Sequence, residues 1–96
     1  MFSLPSEMVD VYLQRRIKDL ECLQNSLKEN SVEEFNRIGH QLVGNAKNFG
    51  FDSLEPLAHR MEKLKSSELL RSGPELLREF STWLDEQLKN KRYPAI

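Results

Sequence analysis

One histidine flanked by glycines is the first feature of this sequence that could do chemistry. His40 lies between Gly39 and Gly44, in a stretch whose apolar residues recur three and four apart and therefore predict a helix. At 100° per residue, His40 falls about 135° from the centre of the apolar stripe near Phe35, toward water. Gly44 lies on the same face of the helix as His40. This face is expected to point to solvent, so packing cannot explain a glycine that destabilises a helix by roughly 1 kcal/mol relative to alanine. We interpret His40 as an exposed imidazole that another protein can approach, while at Gly39 close helix packing is an equally good explanation.

A carboxylate is expected beside this imidazole. The turn after the helix of His40 centres near Phe51, and Glu62 follows that point by as many residues as His40 precedes it. In an antiparallel helix pair such residues lie at the same height, because both helices rise about 1.5 Å per residue. A carboxylate there would hold one ring N–H and leave the other nitrogen as an oriented nucleophile. Spacing alone equally allows Glu62 to pair with Arg60, Lys63 or solvent.

Four amphipathic helices position these residues in the predicted fold. Gly and Pro fall at few places, and the apolar spacing between them is helical throughout. The predicted helices span about 6–29, 31–49, 53–66 and 74–90. Ser31 and Glu34 have the spacing of a capping box at the start of the second helix. Gly50 is expected to end the second helix, and Gly73-Pro74 to precede the fourth. Short connections favour antiparallel neighbours, so we predict an all-α, up-down-up-down antiparallel four-helix bundle forming a single domain over residues 1–96.

Composition limits the partners. The chain has 96 residues, 14 Lys and Arg against 15 Asp and Glu, and a net charge of −1, so no long-range field would gather nucleic acid or anionic lipid. We expect no nucleic acid, no membrane association and a monomer. Cys22 has no partner for an internal disulfide, and the first residues lack the pattern of a secretion signal. These features predict a reduced, cytoplasmic protein in which Cys22 acts as a small hydrophobe.

The segment that contains His40 resembles the signature of histidine-containing phosphotransfer (HPt) domains. In that signature a His is followed by Lys at the third place, Gly at the fourth and Gly at the tenth. His40, Gly44 and Gly50 match, within residues 40–50, HQLVGNAKNFG. Residues 58–64, AHRMEKL, look especially like the phosphotransfer domain of bacterial chemotaxis kinases, in which the corresponding Glu hydrogen-bonds the phosphorylated His. The resemblance therefore implies that Glu62 hydrogen-bonds the phosphorylated His40. It also implies that His59 could extend this pair to a His40–Glu62–His59 network, while a solvent-facing position is the alternative for His59.

The resemblance implies a phosphocarrier of a two-component phosphorelay. His40 would accept a phosphoryl group from a receiver-domain aspartate or a sensor histidine kinase and pass it to another receiver. No ATP motif is present, and the chain needs no cofactor of its own, because the receiver would supply the magnesium ion. One departure is Val43, at the place where the family has Lys. We hypothesise that Lys47, one turn further and about 20° around the helix from His40, replaces that cation; a solvated lysine on a weakened carrier is the equal alternative.

Docking and rival functions complete the sequence-based predictions. The expected docking surface surrounds His40 and has Asn36, Gln41, Gly44 and Lys47 at or near its centre, with Val43 at the edge of the apolar stripe.

Other functions were weighed against the phosphocarrier. Zinc binding by the histidines, Glu62 and Cys22 is less favoured than the carrier function, because the spacing matches no recurrent zinc pattern and no metal site is predicted. The serious alternative is a binding-only module, a pseudo-HPt domain that docks a receiver or kinase without phosphotransfer.

Overall fold

The computed structural model describes residues 6–92, and these form four α-helices joined by short turns. The helices are α1, Ser6–Lys28; α2, Glu33–Asn45; α3, Glu55–Glu62; and α4, Leu69–Arg92. The α2–α3 hairpin packs together closely, and the two long helices α1 and α4 lie against each other. The all-α bundle predicted from the sequence is confirmed. Within residues 6–92, no helix is both long enough and apolar enough to cross a membrane.

A continuous apolar core joins the four helices. Its largest fully buried side chains are Leu13, Leu23, Phe35, Ile38, Leu42, Leu54, Met61, Leu69 and Phe80. Each helix contributes one apolar stripe, so the pattern that predicted the helices also predicts which faces meet. Trp83 is buried with this cluster, and its indole N–H donates to Ser53 Oγ at 3.1 Å. This bond ties α4 to the turn that precedes α3.

The connection between α1 and α2 differs from the predicted capping box. Asn30 has φ 57°, in the left-handed region, and the Ser31 N–H donates to the Ser26 carbonyl at 2.9 Å. Ser31 therefore still belongs to the turn that ends α1. Val32 occupies the N-cap without a side-chain bond, and the Glu34 carboxylate accepts from Arg37 instead. The Ser31–Glu34 capping box was wrong because both of its residues are engaged elsewhere.

The α2–α3 hairpin is formed by shorter helices than predicted. After α2 ends at Asn45, Lys47–Phe49 forms a 3₁₀ turn, and a second 3₁₀ turn, Asp52–Leu54, leads into α3. Gly50 has φ 82°, which confirms the predicted left-handed residue. The third helix was predicted over 53–66 but has only eight residues. Its end at Glu62 places the candidate carboxylate on the last helical residue.

The fourth helix begins at Leu69, five residues before the predicted start. Gly73 and Pro74 suggested a break, yet both lie inside α4. Pro74 cannot donate to the carbonyl of Leu70, but Leu70 is 72% exposed, so water can satisfy that carbonyl. Gly73 is buried, and a Cβ there would lie 2.7 Å from a methyl carbon of Leu27. The glycine thus allows α4 to pack closely on α1 rather than ending a helix.

Candidate functional site

His40 and Glu62 meet across the α2–α3 hairpin. His40 Nδ1 lies 2.6 Å from Glu62 Oε2. The His40 side chain is 78% exposed, while that of Glu62 is 29% exposed. Because an ionised carboxylate can only accept, a neutral imidazole that hydrogen-bonds to it through Nδ1 has its lone pair on Nε2. The predicted proximity of the two side chains is confirmed, and the imidazole in this contact is exposed to solvent.

Arg60, one of the alternative partners for Glu62, is engaged on another helix. The guanidinium of Arg60 donates to both carboxylate oxygens of Glu79 on α4, at 2.7 and 2.9 Å. This bidentate pair lowers the pKa of Glu79 and raises that of Arg60, in each case chiefly through the side-chain hydrogen bonds. Arg60 therefore attaches the outer face of α3 to α4 and leaves Glu62 to His40.

His59 lies on the other side of the same carboxylate. Its Nδ1 is 4.0 Å from Glu62 Oε1, which is beyond hydrogen-bond distance. The imidazole is half exposed and sits one turn before Glu62 on α3. No hydrogen bond therefore extends the His40–Glu62 pair to His59, and its exposure fits the solvent-facing position that its place outside the apolar stripe also allows. At this distance it interacts with Glu62 electrostatically and orients nothing directly.

The two glycines beside His40 have different roles. Gly39 is buried, and a Cβ at this position would lie 2.4 Å from the Glu62 amide nitrogen and 2.8 Å from the Ala58 carbonyl oxygen. Gly39 therefore allows the backbones of α2 and α3 to touch at the level of the site. At Gly44 a Cβ would meet nothing within 4 Å. Packing explains Gly39, whereas no contact with any of residues 6–92 explains the glycine at position 44.

Asn36 has a role that the sequence analysis missed. It was expected on the docking surface, but it is half buried and its amide faces the end of α3. The amide nitrogen lies 3.2, 3.0 and 3.0 Å from the carbonyl oxygens of Met61, Glu62 and Leu64. A donor committed to these carbonyls is not available to a partner protein. The signal in the sequence was an asparagine in a helix interior, where it is unfavourable without a specific bond.

The remaining predicted site residues lie on the outer side of α2. Val43 is half buried and packs against the core, whereas Gln41 is exposed. Lys47 is exposed at the start of the 3₁₀ turn, where its carbonyl accepts from the Gly50 N–H at 3.0 Å, and its side chain makes no hydrogen bond or ion pair to any residue between 6 and 92. It lies seven residues beyond His40, about 10 Å along the helix direction. Its ammonium group is free to move toward a group bound at His40.

A groove on the α1 flank of this face was also missed. It has a volume of about 400 Å³ and lies between α1 and the end of α2. Met8 and Val11 are exposed on its α1 side. Tyr12 forms its floor, stacking on Phe49 at 4.3 Å and donating its hydroxyl to Asn45 Oδ1 at 2.7 Å. The signal available in the sequence was the spacing of Met8, Val11 and Tyr12, which lie three and four residues apart and so share one face of α1.

Two further observations concern reactive groups. Cys22, which was expected to act as a small hydrophobe, is exposed on α1 and is not part of the apolar core. Within residues 6–92, no group of three or more His, Cys, Asp or Glu side chains is arranged to hold a metal ion.

A helical bundle with an exposed, carboxylate-backed histidine fits the class of histidine phosphotransfer modules, and comparison with known families agrees. Residues 7–91 match the family described as Hpt domain. The chain belongs to this family. No significant match was found among curated proteins or solved structures. Hpt domains are phosphotransfer modules of two-component signalling that interact with receiver domains and kinases and have no ATP site of their own.

Proposed function

We propose that this domain is an active phosphocarrier that accepts a phosphoryl group on His40 Nε2 and passes it to a receiver domain. The observation that carries the proposal is the 2.6 Å contact between His40 Nδ1 and Glu62 Oε2 on an imidazole that is 78% exposed. Such a contact with a carboxylate favours the tautomer that has the proton on Nδ1 and the lone pair on Nε2. An exposed histidine without such a partner would interchange its two tautomers freely.

The transfer step needs little from this domain beyond alignment. The Nε2 lone pair attacks the phosphorus of a receiver aspartyl phosphate, a P–N bond forms, and the P–O bond to the aspartate breaks. Its electron pair remains on the aspartate carboxylate. The ring becomes cationic as Nε2 bonds to phosphorus, and the Glu62 carboxylate stabilises that charge through Nδ1–H. The receiver supplies the magnesium ion that neutralises the phosphoryl oxygens, so positioning is the main contribution of His40.

Lys47 supplies a cation in this proposal. The family has Lys at the position of Val43, whose side chain here packs partly into the core. Lys47 is exposed and has no partner among the described residues. A flexible ammonium needs no bidentate geometry to approach a phosphoryl oxygen. We propose that Lys47 contacts the phosphoryl group on His40 from the C-terminal side of α2.

Docking would use the outer face of α2 and extend toward α1. Gly44 leaves the imidazole open on one side, and Gln41 lies on the flank of α2 that faces α1. The groove beside Met8 and Val11 offers apolar surface next to a polar rim. A receiver that covers His40 and this groove would bury a small, partly apolar patch, as is typical of transient complexes. Weak binding and rapid exchange follow from such an interface.

The second candidate function is a binding-only module, and Val43 is the observation that favours it. A domain that had lost phosphotransfer would not need the family cation at this position. It would also not need a carboxylate on Nδ1, and Glu62 is nonetheless held within 2.6 Å of it. The two candidates differ in one measurable property, which is whether phosphate is found on His40.

The experiment is transfer from a panel of phosphorylated receiver domains from the source organism. Wild-type protein is compared with His40→Gln and with His59→Gln, a matched control that removes the other imidazole of the site. The proposal predicts acid-labile phosphate on wild type and on His59→Gln, and none on His40→Gln. Specific receiver binding without phosphate transfer from any receiver would instead establish the binding-only module.

A further inference from the structure

We infer that Asn36 is a positioning residue that holds the end of α3 in register and thereby sets the tautomer of His40. The inference deepens the proposed function by assigning a residue that acts on the phosphoacceptor through Glu62. Only its kinetic consequence rests on that function, because the tautomer of His40 is measurable without any phosphoryl donor.

The end of α3 requires an external partner. The helix has eight residues, and Glu62 is the last of them. Helices this short are marginal on their own, and the last four carbonyls of any helix have no intrahelical donor. Beyond Glu62, the Leu64 amide is 3.4 Å from the Met61 carbonyl oxygen, near the limit of a hydrogen bond. The Lys63 amide donates to the His59 carbonyl at 3.1 Å, so the local backbone provides donors for His59 and Met61 but none for the carbonyl of Glu62, the residue that must meet His40.

Asn36 supplies the missing donor. Its amide nitrogen lies within 3.2 Å of the carbonyl oxygens of Met61, Glu62 and Leu64. An amide NH₂ has two hydrogens, so three carbonyls share two donors and surround the group. These oxygens carry the negative partial charge of the helix C-terminus, which strengthens their attraction for a donor. The clamp acts directly on the backbone of Glu62.

The position of Asn36 on α2 makes this clamp specific to the site. Asn36 precedes His40 by one helical turn, so the two side chains share a face of α2. Asn36 holds the main chain of Glu62, and His40 meets its carboxylate. Gly39 lies between them and allows the Glu62 amide to approach α2 closely. Backbone contact sets the separation of α2 and α3, and the asparagine sets their register.

The chemistry of the clamp selects asparagine over its closest analogues. Aspartate has the same shape, but its carboxylate only accepts and would face three carbonyl oxygens. Alanine is the better helix former but has no donor. A residue present only to fill space would tolerate aspartate as well as asparagine. Asn36→Asp therefore tests the donor, and Asn36→Ala removes the group without adding repulsion.

The test measures the tautomer of His40 by ¹⁵N NMR at a pH where the imidazole is neutral. Asn25→Asp and Asn25→Ala are the matched controls, since Asn25 is an exposed asparagine within α1 whose side chain makes no hydrogen bond to the described residues. In wild type and the Asn25 variants, the Nδ1–H form should predominate. In both Asn36 variants, the ratio of Nδ1–H to Nε2–H should fall severalfold, and phosphorylation by phosphoramidate should slow about tenfold, as for loss of an outer-shell partner.

A double-mutant cycle with Glu62→Ala identifies the route of the effect. If Asn36 acts through Glu62, Asn36→Ala should not change the tautomer ratio further in the Glu62→Ala background. An unchanged ratio in folded Asn36→Ala, or a shift of equal size with and without Glu62, would overturn the inference. Loss of stability without a tautomer shift would also overturn it and show a merely structural role. Absence of transfer from every receiver would refute the proposed function and leave this result standing.

Discussion

The same substitution at two glycines of α2 should have opposite effects on stability. A Cβ at residue 39 would lie 2.4 Å from the Glu62 amide nitrogen, and an ordinary contact begins at 3.4 Å, so α2 and α3 must separate by about 1.0 Å. The neighbouring atoms are backbone and cannot rotate away. Overpacking of this kind costs about 3 kcal/mol, and the better helix propensity of alanine offsets about 1 kcal/mol. Gly39→Ala should therefore lose about 2 kcal/mol of unfolding free energy.

Gly44→Ala is the matched control, because a Cβ there meets nothing within 4 Å. It should gain about 0.5–1 kcal/mol from helix propensity alone. Urea unfolding at neutral pH measures the unfolding free energy of both variants. In thermal unfolding, the free energy lost in Gly39→Ala corresponds to a Tm decrease of about 10 °C for a domain of this size. If Gly39→Ala were as stable as Gly44→Ala, the close backbone contact that positions Glu62 would be refuted.

Three other predictions concern the proposed Lys47 cation near the phosphoryl group, the ion pair of Arg60 with Glu79, and the thiol of Cys22. Lys47→Ala should slow phosphotransfer about tenfold at saturating receiver, and adding Val43→Lys should restore the rate. An unchanged rate in folded Lys47→Ala would contradict the hypothesis that Lys47 replaces the family cation. Glu79→Gln should lose about 0.5 kcal/mol at pH 7, because Arg60 lowers the pKa of Glu79 and a carboxyl with a lowered pKa stabilises the fold only while ionised. The difference in unfolding free energy between Glu79→Gln and wild type should vanish as the pH falls through the lowered pKa of Glu79. A difference that persists once Glu79 is protonated would contradict a stabilising role of the ionised carboxylate. Cys22 should react with a thiol reagent in the native protein at a rate close to that in urea, whereas strong protection would contradict its exposure.

The equal height of His40 and Glu62 on neighbouring helices was predictable because helical geometry is regular, although spacing alone left Arg60, Lys63 and solvent as equal alternatives for Glu62. Equal distance from one turn puts two residues at the same height on antiparallel helices, and an apolar stripe tells which side faces water. These two rules needed no knowledge of the exact helix ends. The resemblance to phosphotransfer domains added the chemical role, which no periodicity can supply.

Helix ends were predicted less well, because local signals competed with tertiary contacts. Ser31 and Glu34 had the spacing of a capping box, but each found a different partner once α1 and Arg37 were in place. Gly73-Pro74 suggested a helix start, yet the glycine lies inside α4 and faces the Leu27 side chain of α1. The contact of Gly73 with Leu27 joins residues far apart in sequence, which a local pattern cannot reveal, whereas at the start of α2 other local bonds replaced the capping box.

Asn36 shows the same limitation at the site itself. Its face on α2 was predicted correctly, next to His40, and an exposed docking role followed from that face. The carbonyls that surround its amide belong to the end of α3, whose early termination at Glu62 was not predictable from the apolar stripe. The mismatch between an asparagine and a helix interior was the one local sign that it had a specific partner.

The most direct test of the central claim is to locate the phosphoryl group after transfer from a receiver domain. Long-range ¹H–¹⁵N spectra of the uniformly ¹⁵N-labelled, phosphorylated domain distinguish the two ring nitrogens of His40. The account predicts a phosphoryl group on Nε2 of His40, with Nδ1 still protonated beside Glu62. Phosphate on Nδ1, or on any other residue, would contradict it.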